Sequence, residues 1–158
     1  MALLKVGLIS DTHGLLRPEA VAALTGSDFI IHAGDIGDPK VLEGLSRIAP
    51  VTAIRGNVDR GAWASSLPGT EVLQAGDAFI YVVHNVGELD LDPGAAGFQA
   101  VVSGHSHSPG WRAKDGVLFV NPGSAGPRRF SLPIAVGRLV IDGTQVTAEI
   151  IELDVRKG

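Results

Sequence analysis

Short apolar runs rich in β-branched residues alternate with helical patterns in the first third of this chain. The runs predict strands over residues 6–10, 29–33 and 51–54, and the segments between them predict helices over residues 18–25 and 39–48. The second helical segment begins with a proline and places its apolar residues on one face. This alternation is typical of an α/β sandwich, in which helices cover the faces of a sheet.

Short strands separated by turns dominate the rest of the chain. The predicted strands cover residues 71–73, 79–83, 100–103, 117–120, 134–141 and 146–153. The last two flank Asp142-Gly143-Thr144, which is a strong hairpin signal. No Ser/Gly-rich linker or block of charge marks a boundary, so we expect one domain over residues 1–158 with two sheets. Residues 56–69 and 85–97 lack a regular pattern, and loops of that length in a compact domain are more often functional than idle.

Composition excludes several kinds of protein. The 158 residues carry a net charge of -4, which argues against non-specific binding to nucleic acid. The absence of cysteine excludes disulfides, thiolate metal sites and thiol nucleophiles. No apolar run approaches the ~18 residues that a membrane span needs, so the expected location is the cytoplasm. Because the chain has no cysteine, any metal ion must be bound by oxygen and imidazole ligands.

Side chains that could bind a metal ion follow five of the predicted strands. The segments that hold them are Asp11-Thr12-His13-Gly14, Gly34-Asp35, Gly56-Asn57, His84-Asn85 and Gly104-His105-Ser106-His107. Ligands of α/β sheets bind at the carboxyl ends of the strands, so we expect these side chains to meet. In extended backbone, the two members of a pair such as Asp11 and His13, or His105 and His107, would project to the same side.

The candidate ligands are too numerous for one ion. They are Asp11, His13, Asp35, Asn57, His84, His105 and His107. Such a set suits two ions that share a bridging carboxylate. An oxygen and nitrogen shell without sulfur fits Mn²⁺, Fe, Zn²⁺, Co²⁺ or Ni²⁺ and disfavours Ca²⁺.

The order of these motifs resembles the calcineurin-like metallophosphoesterases, and most of all their small bacterial and archaeal phosphodiesterase branch. The resemblance covers essentially the whole chain, including Asn121-Pro122-Gly123-Ser124, which is typical of that branch. It implies a four-layer α-β-β-α sandwich with two mixed β-sheets. It also implies that one ion is bound by Asp11, His13 and His107. The second ion is then bound by Asn57, His84 and His105, and Asp35 bridges the two.

The function that this resemblance implies is hydrolysis of small or activated phosphodiesters by a hydroxide that bridges two divalent ions. Asp35, Asn57 and His84 are the expected catalytic residues, and Mn²⁺ is the first choice of ion, with Ni²⁺, Co²⁺, Fe and Zn²⁺ as alternatives. Two residues depart from the family pattern. Val58 replaces a histidine that helps to expel the leaving group, so activated aryl esters should react faster than alkyl esters. Asn85 replaces a glycine.

Two other functions remain open at this point. One is a phosphomonoesterase, and the other is a scaffold similar to a retromer subunit of the same fold, which acts through its surfaces. A homo-oligomer is compatible with each.

Among residues near the candidate ligands, His32 is expected to be a buried supporting histidine. Asp38 and Asp59 are expected to cap a helix or to support the ligands. Arg55 could contact phosphate or pair with an acid such as Asp59, and the pairing is the favoured role. Arg128 and Arg129 could clamp phosphate but are expected to be solvated.

Overall fold

Ten strands form two five-stranded sheets in residues 3–129 and 131–155, which the computed structural model describes. In chain order they are β1 (Leu4–Ile9), β2 (Phe29–His32), β3 (Val51–Ala53), β4 (Thr70–Ala75), β5 (Ala78–Val83), β6 (Ala100–Val102), β7 (Gly110–Lys114), β8 (Val117–Asn121), β9 (Ala135–Asp142) and β10 (Gln145–Glu152). The first sheet has the order β10-β9-β1-β2-β3, and the second has the order β4-β5-β6-β8-β7.

Each sheet combines parallel and antiparallel strands. In the first sheet β1, β2 and β3 are parallel, whereas β9 is antiparallel to both β1 and β10. In the second sheet β5, β6 and β8 are parallel, and β4 and β7 are antiparallel edge strands. The two mixed sheets of the predicted sandwich are confirmed.

The main core lies between the two sheets. Side chains of alternate strand residues meet there, such as Val6 and Leu8 from the first sheet and Ile80, Val82 and Val102 from the second. Burial of each such side chain stabilises the fold by roughly 1.5–3 kcal/mol relative to exposure. This packing holds the carboxyl ends of the parallel strands of both sheets in a fixed relation.

Three helices cover the outer face of the first sheet: α1 (Pro18–Leu24), α2 (Pro39–Ser46) and α3 (Ala62–Ser65). Proline stands at the start of α1 and α2, where its missing amide hydrogen costs nothing. Asp38 caps α2 by accepting a 2.8 Å hydrogen bond from the Lys40 amide, as predicted. Leu24 and Leu45 pack on the sheet residue Ile30.

The outer face of the second sheet is covered by an extended segment with one 3-10 turn, Val86–Glu88. Leu89, Leu91 and Phe98 from this segment pack against Tyr81 and Val101 of the sheet. The fourth layer of the sandwich is therefore thinner than a layer of helices. None of the described helices combines the length and the apolar character that crossing a bilayer requires.

Three elements were not predicted. Strand β7 was not predicted because it is short and mostly exposed and contains no apolar run, and the strand forms by pairing with β8. Helix α3 lies inside the segment 56–69, and the 3-10 turn lies inside 85–97, both of which were expected to be irregular. These two elements are about one turn long, too short for a periodic pattern to show.

Candidate metal centre

The predicted ligands meet where the carboxyl ends of the parallel strands of both sheets come together. One ligand atom from each of Asp11, His13 and His107 lies within 4.8 Å of the others. A second group with the same spacing consists of Asp11, Asp35 and His84. The two groups share Asp11, so they form one continuous centre.

Asp11 is buried, and its two carboxylate oxygens have different roles. Oδ2 accepts hydrogen bonds from the Ser10 hydroxyl at 2.7 Å and from the His105 amide at 3.1 Å. Oδ1 has no hydrogen-bond partner among the described residues and lies 3.4 Å from His107 Nε2 and 3.9 Å from His84 Nε2. Burial raises the pKa of Asp11, although the Ser10 hydroxyl and the nearby histidines partly offset this rise. A cation beside Oδ1 would complete its interactions.

Asp35 lies between the two halves of the centre. Its Oδ2 is 3.2 Å from His84 Nε2 and 3.9 Å from His13 Nε2, and its Oδ1 accepts a 3.0 Å hydrogen bond from the Val58 amide. Burial alone would raise the pKa of Asp35. The hydrogen bonds from His84 and Val58 and the charges of His84 and His13 outweigh burial and lower that pKa to about 2.

His84 is oriented by the main chain. Its Nδ1 lies 2.7 Å from the carbonyl oxygen of Ala33 and donates to it, which leaves Nε2 facing Asp35. Burial opposes protonation of this ring, but its hydrogen bonds to Asp35 and Ala33 and the charges of Asp35 and Asp11 raise its pKa. The local field therefore favours a positive charge beside Nε2.

The Asn57 side chain completes this half of the centre from the loop after β3. Its amide lies 3.0 Å from His84 Nε2. If the amide oxygen is the atom that faces His84, this oxygen, His84 Nε2 and the Asp35 carboxylate are all hydrogen-bond acceptors that face one another. Such an arrangement suits a cation between them. With the amide reversed, its nitrogen lies 3.2 Å from both Asp35 oxygens and donates to them. In each orientation Asn57 completes the polar surroundings of Asp35 and His84.

His105 and His107 point into different halves of the centre. The ring of His107 lies 5.6 Å from that of His13, whereas the ring of His105 lies edge-on to His84 at 5.2 Å. His105 is exposed and lies outside both tight groups. The expectation that extended backbone directs this pair to one side was wrong, because both residues have left-handed backbone, with φ of 71° and 62°.

Left-handed backbone is a property of most of this centre. The five residues Asp11, His13, Asp35, His105 and His107 all have positive φ, between 47° and 71°. Such conformations are costly for residues other than glycine and persist only where the surroundings enforce them. Here the Asp11 amide donates to Gly34 O and the His13 amide to Asp35 O, each at 3.0 Å. These bonds join the loops after β1 and β2.

Asp59 holds two of the ligand loops together. Its carboxylate accepts hydrogen bonds from the amides of Ile36 at 3.1 Å, Gly37 at 2.8 Å and Gly56 at 2.9 Å. The first two amides belong to the loop of Asp35, and the third belongs to the loop of Asn57. The supporting role predicted for Asp59 fits this geometry, whereas the predicted pairing with Arg55 was wrong.

His32 is a fully buried supporting histidine, as the sequence indicated. Its Nδ1 accepts from the Gly34 amide at 3.1 Å, so the neutral ring carries its proton on Nε2, which donates to the Thr12 hydroxyl at 3.0 Å. Burial lowers the pKa of His32 to about 3, although the charges of Asp59 and Asp35 oppose this shift.

The last motif of the chain also supports the centre. The Asn121 amide nitrogen donates to Gly104 O and to the Ser106 hydroxyl, each at 3.0 Å, and thereby holds the loop of His105 and His107. The Ser124 hydroxyl donates to the carbonyl oxygen of Asp11 at 3.1 Å. The sequence marked Asn121-Pro122-Gly123-Ser124 as typical of a branch of the family, but gave no sign of these contacts.

The donor set fits divalent metal ions of the first transition row. Three buried ligand-type atoms lack a hydrogen-bond partner among the described residues: Asp11 Oδ1, His13 Nε2 and His107 Nδ1. A buried acceptor without a partner is costly, and coordination of a cation removes that cost. The mixture of carboxylate and imidazole suits Mn²⁺, Fe, Co²⁺, Ni²⁺ and Zn²⁺.

An open cavity of about 640 Å³ adjoins the centre. Asn57, His84 and His105 form its inner wall, and Tyr81 and Val83 of β5 also line it. The other residues that line it are Arg55, Gly56, Pro68, Gly69, Thr70, Asn85, Glu88 and Asp90. The two loops that were predicted to be functional, 56–69 and 85–97, therefore supply much of the wall.

Comparisons with known proteins agree with this geometry. Residues 4–144 match the family model of the calcineurin-like phosphoesterase superfamily domain. A probable metallophosphoesterase of Methanothermobacter thermautotrophicus is 34% identical over 161 aligned positions, which cover 92% of this chain and 91% of that protein. Vacuolar Protein Sorting 29 from Cryptosporidium parvum superposes with a TM-score of 0.80 at 23% identity, covering 96% of this chain and 92% of its own. A solved archaeal phosphodiesterase superposes with a TM-score of 0.76 at 21% identity, covering 94% of this chain and 100% of its own. The two superpositions concern the fold alone.

Proposed function

Since the chain belongs to the calcineurin-like phosphoesterase superfamily, a family of metal-dependent phosphoesterases, we propose that it is a phosphodiesterase with a dinuclear metal centre. The observation that carries the proposal is the place of Asp35. One of its oxygens lies within 3.9 Å of an imidazole nitrogen from each half of the centre. A carboxylate in that position can serve two ions at once.

The geometry supports a definite division of ligands. Asp11, His13 and His107 would hold one ion, because their ligand atoms already lie within 4.8 Å of one another. Asn57, His84 and His105 would hold the second, and Asp35 would bridge the two. Two divalent ions bound there would activate water near neutral pH and neutralise charge on the phosphoryl oxygens. We propose Mn²⁺ as the native ion; the donors, oxygen and imidazole without sulfur, suit it and also suit Fe, Co²⁺, Ni²⁺ and Zn²⁺.

The protein's own contribution is to bind and orient. The Ala33 carbonyl fixes the ring of His84, and His84 and Asn57 face the cavity in which the substrate would bind. The amide of Asn57 can donate to a phosphoryl oxygen when its oxygen faces an ion. Asp35, with a pKa of about 2, stays ionised at neutral pH and contributes a full negative charge to the centre.

The cavity favours a diester over a monoester. At about 640 Å³ it is much larger than one phosphate group, and Tyr81, Val83 and Gly69 line it together with the candidate ligands. A second ester group would have both space and apolar contact there. The solved archaeal phosphodiesterase of the same fold is consistent with this choice.

The test is hydrolysis of bis(p-nitrophenyl) phosphate by chelator-stripped protein, with p-nitrophenyl phosphate measured beside it. Restoring Mn²⁺ should restore turnover of the diester. Asp35→Asn should lower that turnover by more than about 100-fold. Loss of a residue that only supports a ligand typically costs about 10- to 100-fold, and Asp35 is assigned as a ligand itself. Asp142→Asn, at the exposed end of β9, is the matched control and should behave as wild type.

A scaffold function is the second candidate, because the fold matches Vacuolar Protein Sorting 29 with a TM-score of 0.80. The buried atoms of Asp11, His13 and His107 that lack a hydrogen-bond partner among the described residues support metal binding, which catalysis requires and a scaffold does not. Absence of turnover with Mn²⁺, Ni²⁺, Co²⁺ and Zn²⁺ would support the scaffold. Faster hydrolysis of the monoester than of the diester would instead indicate a phosphomonoesterase.

A further inference from the structure

We propose that Arg55 binds a non-bridging phosphoryl oxygen of the substrate and is a specificity-determining residue of the cavity. This inference rests on the proposed function, since it assigns a protein contact to the same phosphodiester. It also corrects the structural role that the sequence favoured for this arginine.

Arg55 lines the cavity that adjoins the centre. It stands two residues before Asn57 and lines the same cavity as Asn57, His84 and His105. Its amide donates a 2.8 Å hydrogen bond to Pro68 O, which fixes the start of its side chain against the opposite end of the loop. A side-chain carbon at Gly69 would lie 3.8 Å from Arg55 Nη2, so the guanidinium lies beside this glycine and has no side chain covering it there.

Among the residues that the structure describes, Arg55 has no carboxylate partner. Asp59, the acid nearest in sequence, is occupied by three main-chain amides. Glu88 and Asp90 line the same cavity but lie beyond ion-pair distance of the guanidinium. Over residues 3–129 and 131–155, Arg138 with Glu149 at 3.1 Å is the one ion pair that involves a lysine or arginine. The charge of Arg55 is therefore available to a ligand in the cavity.

The chemistry of the guanidinium matches that ligand. A phosphodiester carries one negative charge over two non-bridging oxygens, and the planar fork of arginine donates two parallel hydrogen bonds to such a pair. Lysine offers a point charge without this geometry. Because the chain has a net charge of -4, the protein surface as a whole does not attract an anionic substrate. A positively charged side chain inside the cavity, such as Arg55, supplies that attraction locally.

Arg55→Gln, Arg55→Lys and the control Arg47→Ala test the proposal on the manganese-loaded protein. Arg47 is exposed at the end of α2 and does not line the cavity. The first readout is the affinity for inorganic phosphate by calorimetry, and the second is KM and kcat for bis(p-nitrophenyl) phosphate. Manganese content and the melting temperature show whether each variant keeps the fold and the metal centre.

Arg55→Gln should weaken phosphate binding and raise KM by about 10-fold or more, the loss expected for a charge-assisted hydrogen bond. Arg55→Lys should recover part of this loss, and Arg47→Ala should match wild type. Unchanged phosphate affinity in Arg55→Gln would overturn the proposal, and so would a loss of bound manganese in both Arg55 variants. If wild type binds phosphate but hydrolyses no diester, the proposed function fails while the phosphate measurement still decides the role of Arg55.

Discussion

His84 donates a 2.7 Å hydrogen bond to the carbonyl oxygen of Ala33, and this bond crosses from one sheet to the other. Ala33 follows β2 of the first sheet, whereas His84 follows β5 of the second. The bond fixes the tautomer of the ring and turns Nε2 toward Asp35 at 3.2 Å. The geometry of the metal centre therefore depends on how the two sheets pack.

Gly56 lies too close to Asp35 to accept a side chain. A Cβ there would lie 2.8 Å from Asp35 Cγ and still closer to the amide nitrogen and Oδ1 of that residue. We expect Gly56→Ala to lower the free energy of unfolding by about 1–3 kcal/mol, the usual cost of overpacking. It should also weaken manganese binding, because Asp35 must move. Urea denaturation and a manganese titration measure the two effects.

Gly110→Ala is the control for this change, because a Cβ at Gly110 meets nothing within 4 Å. It should alter stability by less than about 0.5 kcal/mol. Equal stability and metal affinity in the two variants would contradict the account of Gly56.

Asp59→Asn removes one acceptor from a carboxylate that serves three amides. The new amide nitrogen would face a main-chain donor, so one buried N–H loses its partner at a cost of about 1–3 kcal/mol. We expect the loops of Asp35 and Asn57 to separate and manganese affinity to fall by about 10-fold or more. Calorimetric titration with Mn²⁺ checks this, with Asp142→Asn as the control. Unchanged affinity would show that Asp59 does not set the spacing of the ligands.

His32 makes the stability of the metal-free protein depend on pH. Its pKa is about 3 in the folded state and about 6.5 when unfolded, so between these values the unfolded state binds more protons. The free energy of unfolding should therefore fall as pH drops below about 6.5, by up to about 1.4 kcal/mol per pH unit from this residue.

Comparison of wild type with His32→Gln isolates this contribution. The raised pKa of His84 acts in the opposite sense, but it is common to both proteins and cancels in the difference. Denaturation midpoints at pH 7, 6 and 5 should converge as pH falls, because the variant lacks the buried histidine. A constant difference between the two proteins across this range would refute the account.

Val58 stands where the resemblance to the metallophosphoesterases places a histidine that would protonate the leaving group. Its amide donates to Asp35 Oδ1, and its side chain is exposed and cannot donate a proton. We expect the rate for a series of diesters to fall steeply as the pKa of the leaving group rises. Val58→His should make that dependence shallower, whereas Val58→Gln, which has no dissociable proton, should leave it steep. A flat dependence in wild type would contradict this interpretation.

Much of the fold, and the meeting of the candidate ligands at one edge of the sheets, could be predicted because both depend on local patterns. Apolar runs such as 79–83 mark strands, and the polar residue after each strand marks the sheet edge where ligands bind. Strand β7 was not predicted, since four of its five residues are exposed, it contains no apolar run, and its formation depends on pairing with β8. The left-handed backbone of His105 and His107 was also hidden, because it arises from contacts with Asp11 and Asn121, which are distant in sequence.

The number of Mn²⁺ ions bound per chain tests the central claim most directly. We would titrate chelator-stripped protein with Mn²⁺ and measure bound metal at saturation, since the account assigns two ions to ligand sets joined by Asp35. The predicted result is two Mn²⁺ per chain, with Asp35→Asn binding fewer or binding more weakly. Saturation at one ion or none in the wild-type protein would contradict a dinuclear centre.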